Sequence, residues 1–112
     1  MVHTVVIFGA SGDLTSRKLI PALYSLHRKG YLPRGSQIVG IARTKYSDDE
    51  WRTLLEESTR KYDPDFDAES WQTFAPKIFY LPGEIGNVKD FVDLRRRLDE
   101  LEEGKRSVRV YY

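Results

Sequence analysis

Four apolar residues, Val5-Val6-Ile7-Phe8, run directly into Gly9-Ala10-Ser11-Gly12-Asp13-Leu14-Thr15, and this junction constrains the fold more than any other stretch of the chain. A short apolar, β-branched run reads as a buried strand. Glycines in the turn let the backbone approach a ligand without a Cβ in the way. A helix starting just beyond the turn aims unbonded N–H groups and its positive dipole end at whatever lies there, so the natural occupant is an anion. Strand, glycine turn and helix start together read as a phosphate cradle, with a dinucleotide pyrophosphate as the expected ligand. The spacing is G-x-x-G-x-x-T rather than G-x-G-x-x-G, because Ser11 stands at the second glycine position and Thr15 ends the pattern. Taken alone, these residues are also compatible with an ordinary glycine turn that binds nothing.

The following segment strengthens the ligand reading. Leu19, Ala22, Leu23 and Leu26 have one-face helical spacing, which predicts an amphipathic helix over residues 13–29 that ends at Gly30. A second apolar run, Gln37-Ile38-Val39-Gly40-Ile41-Ala42, predicts a second strand that stops at Arg43. In a βαβ dinucleotide site this is where the cofactor is chosen. An acid there would bind the ribose hydroxyls of NAD and repel a 2′-phosphate. The guanidinium of Arg43 instead takes a phosphate in a bidentate pair and stacks on adenine, which favours NADP over NAD. Its alternative reading is a solvated charge at a strand end. Thr44 and Lys45 stand next to it, where they can tune the choice.

Alternation continues to the end of the chain. Ser47-Asp48-Asp49-Glu50 reads as a capping box, with Trp51, Leu54, Leu55 and Ser58 at helical spacing over residues 48–61. Asp63-Pro64-Asp65 breaks that helix, and a short helical piece over residues 68–74 follows an Asp67 cap. Residues 77–81 predict a third strand, turned by Pro82-Gly83. Asn87 caps a helix carrying Phe91, Leu94, Leu98 and Leu101, Gly104 ends it, and residues 107–112 form a fourth strand. The pattern β-α-β-α-β-α-β implies an α/β fold: a Rossmann-like, doubly wound parallel sheet with right-handed crossovers and a ligand crevice at the strands' carboxyl ends. It is expected to be one dinucleotide-binding domain over residues 1–112, incomplete because folds of this type use about six strands.

Individual residues carry open alternatives. Pro21 has no N–H, so it is expected to kink the first helix and leave the Arg17 carbonyl unpaired. Either that carbonyl binds water in the cleft or Pro21 merely packs against the sheet. Lys18 sits unfavourably near the helix's positive end unless an anion is present. Asp13 is expected to hold the turn as a first-turn acid rather than touch the pyrophosphate, which it would repel. His3 and His27 offer no catalytic constellation and are expected to be solvated. Asp48, Asp49 and Glu50 point in different directions and predict a helix start, not a metal site. Trp51 and Trp71 are expected to pack in the core.

Composition removes several classes of function. Eighteen basic and 17 acidic residues leave a net charge of +1, so no global field draws nucleic acid or an anionic membrane. The absence of cysteine removes disulfides and thiol chemistry and suits a reducing, cytoplasmic setting. No segment is apolar for long enough to span a bilayer. The last strand is expected to leave an edge open to pairing with a second copy, making a homo-oligomer.

The run IFGASGDLTSRKLIPALYSL over residues 7–26, followed by GYLP at 30–33, IVGIAR at 38–43 and RVYY at 109–112, resembles the amino-terminal part of the glucose-6-phosphate dehydrogenase family. The resemblance covers nearly the whole chain, and its most specific block joins the glycine turn to Arg17-Lys18 and Pro21-Ala22-Leu23. It implies that Gly9, Ala10, Ser11, Gly12, Asp13 and Leu14 cradle the NADP pyrophosphate, that Arg43 binds the 2′-phosphate and that Lys18 faces the cleft. Glu84 and Ile85 follow the third strand, at the family's adenine end. Thr15 stands where the family usually has alanine, a change expected to be tolerated. The family oxidises glucose 6-phosphate to 6-phosphogluconolactone in the pentose phosphate pathway, with hydride transfer to NADP. Its leucine-alanine-x-proline-proline turn, glutamate-lysine-proline motif and aspartate-histidine-tyrosine segment, which carries the base, have no counterpart here. The resemblance therefore implies a cofactor-binding fragment, inactive alone, with no catalytic residue among the 112. A stand-alone nucleotide-binding module is the alternative, and another NADP-linked dehydrogenase or epimerase, which would not share the Arg17–Leu23 continuation, is a third.

Overall fold

Parallel strands alternate with helices throughout the computed structural model, which describes residues 2–84 and 86–112. Strand β1 (Val2–Phe8) leads through the glycine turn into a π-helical turn over Thr15–Leu19 and then α1 (Ile20–Arg28). There follow β2 (Ser36–Ala42), α2 (Asp48–Tyr62), α3 (Ala68–Phe74), a 3-10 turn over Ala75–Lys77, β3 (Ile78–Pro82), α4 (Val88–Glu102) and β4 (Ser107–Tyr111). The sheet order is β3-β2-β1-β4, every neighbouring pair being parallel, with Val6 beside both Val39 and Tyr111. From β1 the chain winds outward to β3 and then returns past β1 to lay down β4. That reversal makes the sheet doubly wound, as the alternation of elements predicts.

Period-two alternation gives each strand two cores to serve. Ile7, Ile38, Ile78 and Tyr80 pack with Ile20, Tyr24, Trp51, Leu55, Trp71 and Phe74 beneath α1, α2 and α3. Val6, Val39 and Ile41 pack on the opposite face with Leu94 and Leu98 of α4. Both tryptophans are core residues, as expected. Gly40 is required by packing: a Cβ there would lie 2.5 Å from Trp51 and 2.6 Å from the Ala10 side chain.

Helix starts follow their local signals. Ser47 and Glu50 form the reciprocal capping box, with Glu50 N–H donating to Ser47 Oγ at 3.1 Å and Ser47 N–H to Glu50 Oε1 at 2.9 Å. Asp67 accepts from Ser70 N–H, and Asn87 from Asp90 N–H. Helix α4 ends through Glu103 and Gly104 in left-handed conformation.

The first helix departs from its expected register. Ile20 and Tyr24 are its buried residues, whereas Leu26 is 42% exposed and Ala22 is exposed. Leu19 and Leu23 of the expected stripe do pack against the core, so the stripe is half right, with the buried line running through Ile20 and Tyr24 beside them. A π turn lies ahead of Pro21, where Ile20 N–H bonds to Thr15 O, five residues back. In that wider register Pro21 would have to donate to the Ser16 carbonyl, and it has no N–H to give. Ser58 of α2 supplies the missing donor, its hydroxyl lying 2.9 Å from Ser16 O. The carbonyl served from outside the helix is thus one residue earlier than the α-helical expectation of Arg17, and its partner is a neighbouring helix.

Two edges of the sheet differ. On β3 the outward Tyr80 N–H donates to Asp48 Oδ1 at 2.7 Å, and the outward Ile78 carbonyl accepts from Arg52 Nε at 2.9 Å and Nη2 at 2.6 Å. Side chains of α2 therefore cover that edge. Strand β4 is anchored on its inner side. Glu102, buried in α4, accepts from Thr4 Oγ1 at 2.9 Å and from Arg109 Nη2 at 2.6 Å, and Arg109 also reaches Asp99. The Arg109 hydrogen bonds hold the Glu102 carboxyl below the usual carboxylate range against the opposing effect of burial. Val108 and Val110 of β4 remain more than two-fifths exposed.

His27 is not simply solvated. Its Nε2 lies 2.8 Å from Thr73 Oγ1 and its ring packs 5.3 Å from Phe74. Burial, with the Lys77 charge, lowers its pKa. No described helix is long and apolar enough to cross a membrane.

Candidate functional site

A cleft of about 660 Å³ opens over the carboxyl ends of the first three strands. Strand β1 contributes Phe8 and the turn residues Gly9 and Ser11, β2 contributes Ile41, Ala42, Arg43 and Thr44, and β3 contributes Gly83, Glu84 and Gly86. Parallel strands end together at one rim, which is why residues far apart in sequence meet here.

The turn is shaped for close approach. Gly9 has φ +68°, which other L-residues rarely adopt, and a Cβ there would meet no atom within 4 Å, so space remains beside the backbone. Gly12 N–H donates to Gly9 O at 2.9 Å, and a Cβ on Gly12 would sit 3.0 Å from that same oxygen. The amides of Ser11, Asp13 and Leu14 donate to no backbone acceptor among the described residues. They are the unbonded donors that a helix start presents. Thr44 Oγ1 lies 3.4 Å from Ser11 Oγ, linking the turn to the residue after Arg43.

Sequence reasoning singled out ten residues, and the structure distributes them unevenly. Gly9, Ser11, Arg43 and Glu84 share the cleft. Ala10 lies behind it, its side chain 1% exposed in the core and its N–H donated to Ile41 O at 3.1 Å. Gly12, Asp13, Leu14 and Lys18 do not line the cleft, and Leu14 and Lys18 point to solvent. Ile85 lies outside the described residues. Asp13 does not cap the helix through its side chain. Its carboxylate instead accepts from Arg17 Nη1 at 3.0 Å, and Arg17 in turn sits over the Tyr62 ring. Thr15 is buried, so the branched side chain is accommodated at the helix–strand contact.

Arg43 is the cation of the cleft. Its side chain is 84% exposed and pairs through Nε with Glu84 Oε1 at 3.2 Å. Tyr80, which sequence reasoning did not single out, positions the segment that carries it: its hydroxyl lies against the carbonyls of Ala42 and Thr44, which flank Arg43. Burial raises the Tyr80 pKa, keeping the phenol protonated as a donor. The available signal was a tyrosine on the third strand in step with Ile78, on the face opposite Phe79. Among the described residues no three His, Cys, Asp or Glu side chains gather as a metal site.

A doubly wound parallel sheet, a glycine turn closing its first strand, a helix start behind the turn and an open cleft at the strand ends define a Rossmann-type domain of the dinucleotide-binding class. More particularly, the chain belongs to the family described as the NAD binding domain of glucose-6-phosphate dehydrogenase, whose family model matches residues 6–112. It is 36% identical to the glucose-6-phosphate 1-dehydrogenase of Chlamydia pneumoniae over 96% of this chain and 22% of that protein. Identity to the chloroplastic glucose-6-phosphate 1-dehydrogenase 1 of Arabidopsis thaliana is 35%, over 97% of this chain and 19% of that one. A solved glucose-6-phosphate dehydrogenase in complex with its substrate glucose-6-phosphate superposes with a TM-score of 0.87 at 31% identity, over 98% of this chain and 23% of that one. The Mycobacterium avium glucose-6-phosphate 1-dehydrogenase shares the fold, with a TM-score of 0.81. The chain thus spans 19% to 23% of the length of these relatives.

Proposed function

We propose that this chain is the NADP-binding part of a glucose-6-phosphate 1-dehydrogenase, in which C1 of glucose 6-phosphate is oxidised to the lactone. The observation that carries the proposal is Arg43, an exposed guanidinium at the end of β2 in the same cleft as the Gly9 turn. NADP, when bound, supplies the hydride acceptor. The chain's own residues hold and orient it. The Ser11 amide, on the cleft wall, is free to take a pyrophosphate oxygen, the unbonded Asp13 and Leu14 amides follow it at the helix start just outside the cleft, and Gly9 leaves room beside the backbone. Arg43 takes the 2′-phosphate through charge-assisted hydrogen bonds. Tyr80, fixed by burial, keeps the Arg43 segment in place. Glucose 6-phosphate and the base that receives its hydroxyl proton belong to the whole enzyme. The open β4 edge is the surface we assign to pairing with a second copy.

Calorimetric titration of the chain with NADP and NAD tests the site. Hydrogen bonds to a charged group contribute about 1.5–3 kcal/mol, so Arg43→Ala should weaken NADP by roughly tenfold to a hundredfold and NAD far less. Equal NADP affinity in the wild type and the Arg43→Ala variant, both folded by circular dichroism, would refute the assignment.

A further inference from the structure

We propose that Glu84 is the specificity-determining residue of the cleft, acting as an internal competitor that occupies Arg43 and thereby limits the preference for a 2′-phosphorylated nucleotide. The inference rests on the assignment of the cleft to a dinucleotide. Arg43 meets the Glu84 carboxylate through Nε at 3.2 Å, and both side chains line the cavity. A guanidinium grips a phosphate best through a two-pronged edge, and the edge containing Nε is the one Glu84 holds. A phosphate must therefore displace the carboxylate or accept the remaining donors with a negative charge beside it.

The position of Glu84 is built rather than incidental. Gly83 N–H donates to Ala42 O at 2.8 Å, tying the end of β3 to the residue before Arg43. Glu84 N–H donates to Asp90 Oδ2 at 2.9 Å, and Asp90 sits in the first turn of α4 behind the Asn87 cap. A Cβ at residue 83 would come within 3.2 Å of Asp90, so glycine there allows this close turn. Two backbone anchors thus deliver the Glu84 side chain to the same rim as Arg43. An exposed ion pair is weak in itself, which suits a competitor that a dianionic phosphate can displace at a cost. A nucleotide with an unmodified ribose pays no such cost, because it does not need the guanidinium edge.

The test is a calorimetric comparison of the wild type, Glu84→Gln, Arg43→Ala and the double variant, each titrated with NADP, NAD, adenosine 2′,5′-bisphosphate and 5′-AMP. Glutamine keeps the length of the side chain and removes its charge. Expected is a roughly threefold to tenfold gain in affinity for NADP and for the bisphosphate in Glu84→Gln. NAD and 5′-AMP should change by less than about twofold, and the gain should vanish in the Arg43→Ala background. An unchanged NADP-to-NAD ratio in Glu84→Gln, or a gain that persists without Arg43, overturns the competitor role while leaving the dinucleotide site intact. Failure of the folded wild type to bind any of the four nucleotides overturns the site assignment and the inference together.

Discussion

Replacing Ser58 by alanine probes the π turn at the start of the first helix. The Ser58 hydroxyl is 2.9 Å from the Ser16 carbonyl oxygen. Ile20 N–H serves Thr15 O, and Pro21 has no N–H, so the helix has no donor of its own for Ser16 in the wide register. A neutral hydrogen bond contributes about 0.5–1.5 kcal/mol net, and a buried acceptor left unpaired costs about 1–3 kcal/mol. Both serines are half-buried, so water recovers part of the loss, and the expected destabilisation is about 1 kcal/mol. Equilibrium urea denaturation of the wild type, Ser58→Ala, Pro21→Ala and the double variant separates this contact from generic packing. Alanine at position 21 restores an N–H, so Ser58→Ala should then cost less, with a coupling of about 0.5 kcal/mol or more. Identical costs in the two backgrounds, or a cost under about 0.3 kcal/mol beside Pro21, would refute the account.

Gly40→Ala should destabilise the fold by about 1–3 kcal/mol in the same assay, because its new methyl group collides with Trp51 and Ala10, and nucleotide affinity should fall as Ala10 moves. Glu102→Gln should cost about 2 kcal/mol at neutral pH by leaving Arg109 half-partnered. Since the folded carboxyl has a depressed pKa, its contribution is present above the ordinary value of 4.5 and disappears as pH falls through the lower folded value. The stability gap between wild type and Glu102→Gln should therefore close on acidification below pH 4.5, and a gap independent of pH would remove the carboxylate from the explanation.

What could be read from residues alone followed the range of the interactions involved. The starts of α2, α3 and α4 were legible at Ser47, Asp67 and Asn87 because a cap is settled within about four residues. The shared rim of Gly9 and Arg43 follows from alternation, since parallel strands all end at one side, whereas the order β3-β2-β1-β4 is set by which faces pack together and came only from the structure. The buried face of α1 was legible in part, at Leu19 and Leu23, but the π turn ahead of it was not, because it involves what α2 offers to Ser16 across 42 positions. Asp13 sits in the first turn as its residue type implies, but it holds that turn through Arg17 four residues on rather than through a side-chain cap, a choice the sequence left open. Tyr80 escaped notice because a phenol that fixes two carbonyls looks, in sequence, like any core aromatic.

The unequal edges of the sheet have a consequence for how such a domain is joined to other structure. Asp48 and Arg52 occupy the outward Tyr80 N–H and Ile78 carbonyl of β3, so a strand arriving there must first evict two side chains. β4 is the other edge strand, and among the described residues no side chain is hydrogen-bonded to its backbone. The sheet is therefore a one-way template: it accepts a new neighbour beside β4 and refuses one beside β3. A designer wishing to fuse a strand-bearing module to this domain has the β4 seam to use, and the cleft proposed to hold the nucleotide, with its Arg43 and Glu84 toward the β3 side, stays clear of the join.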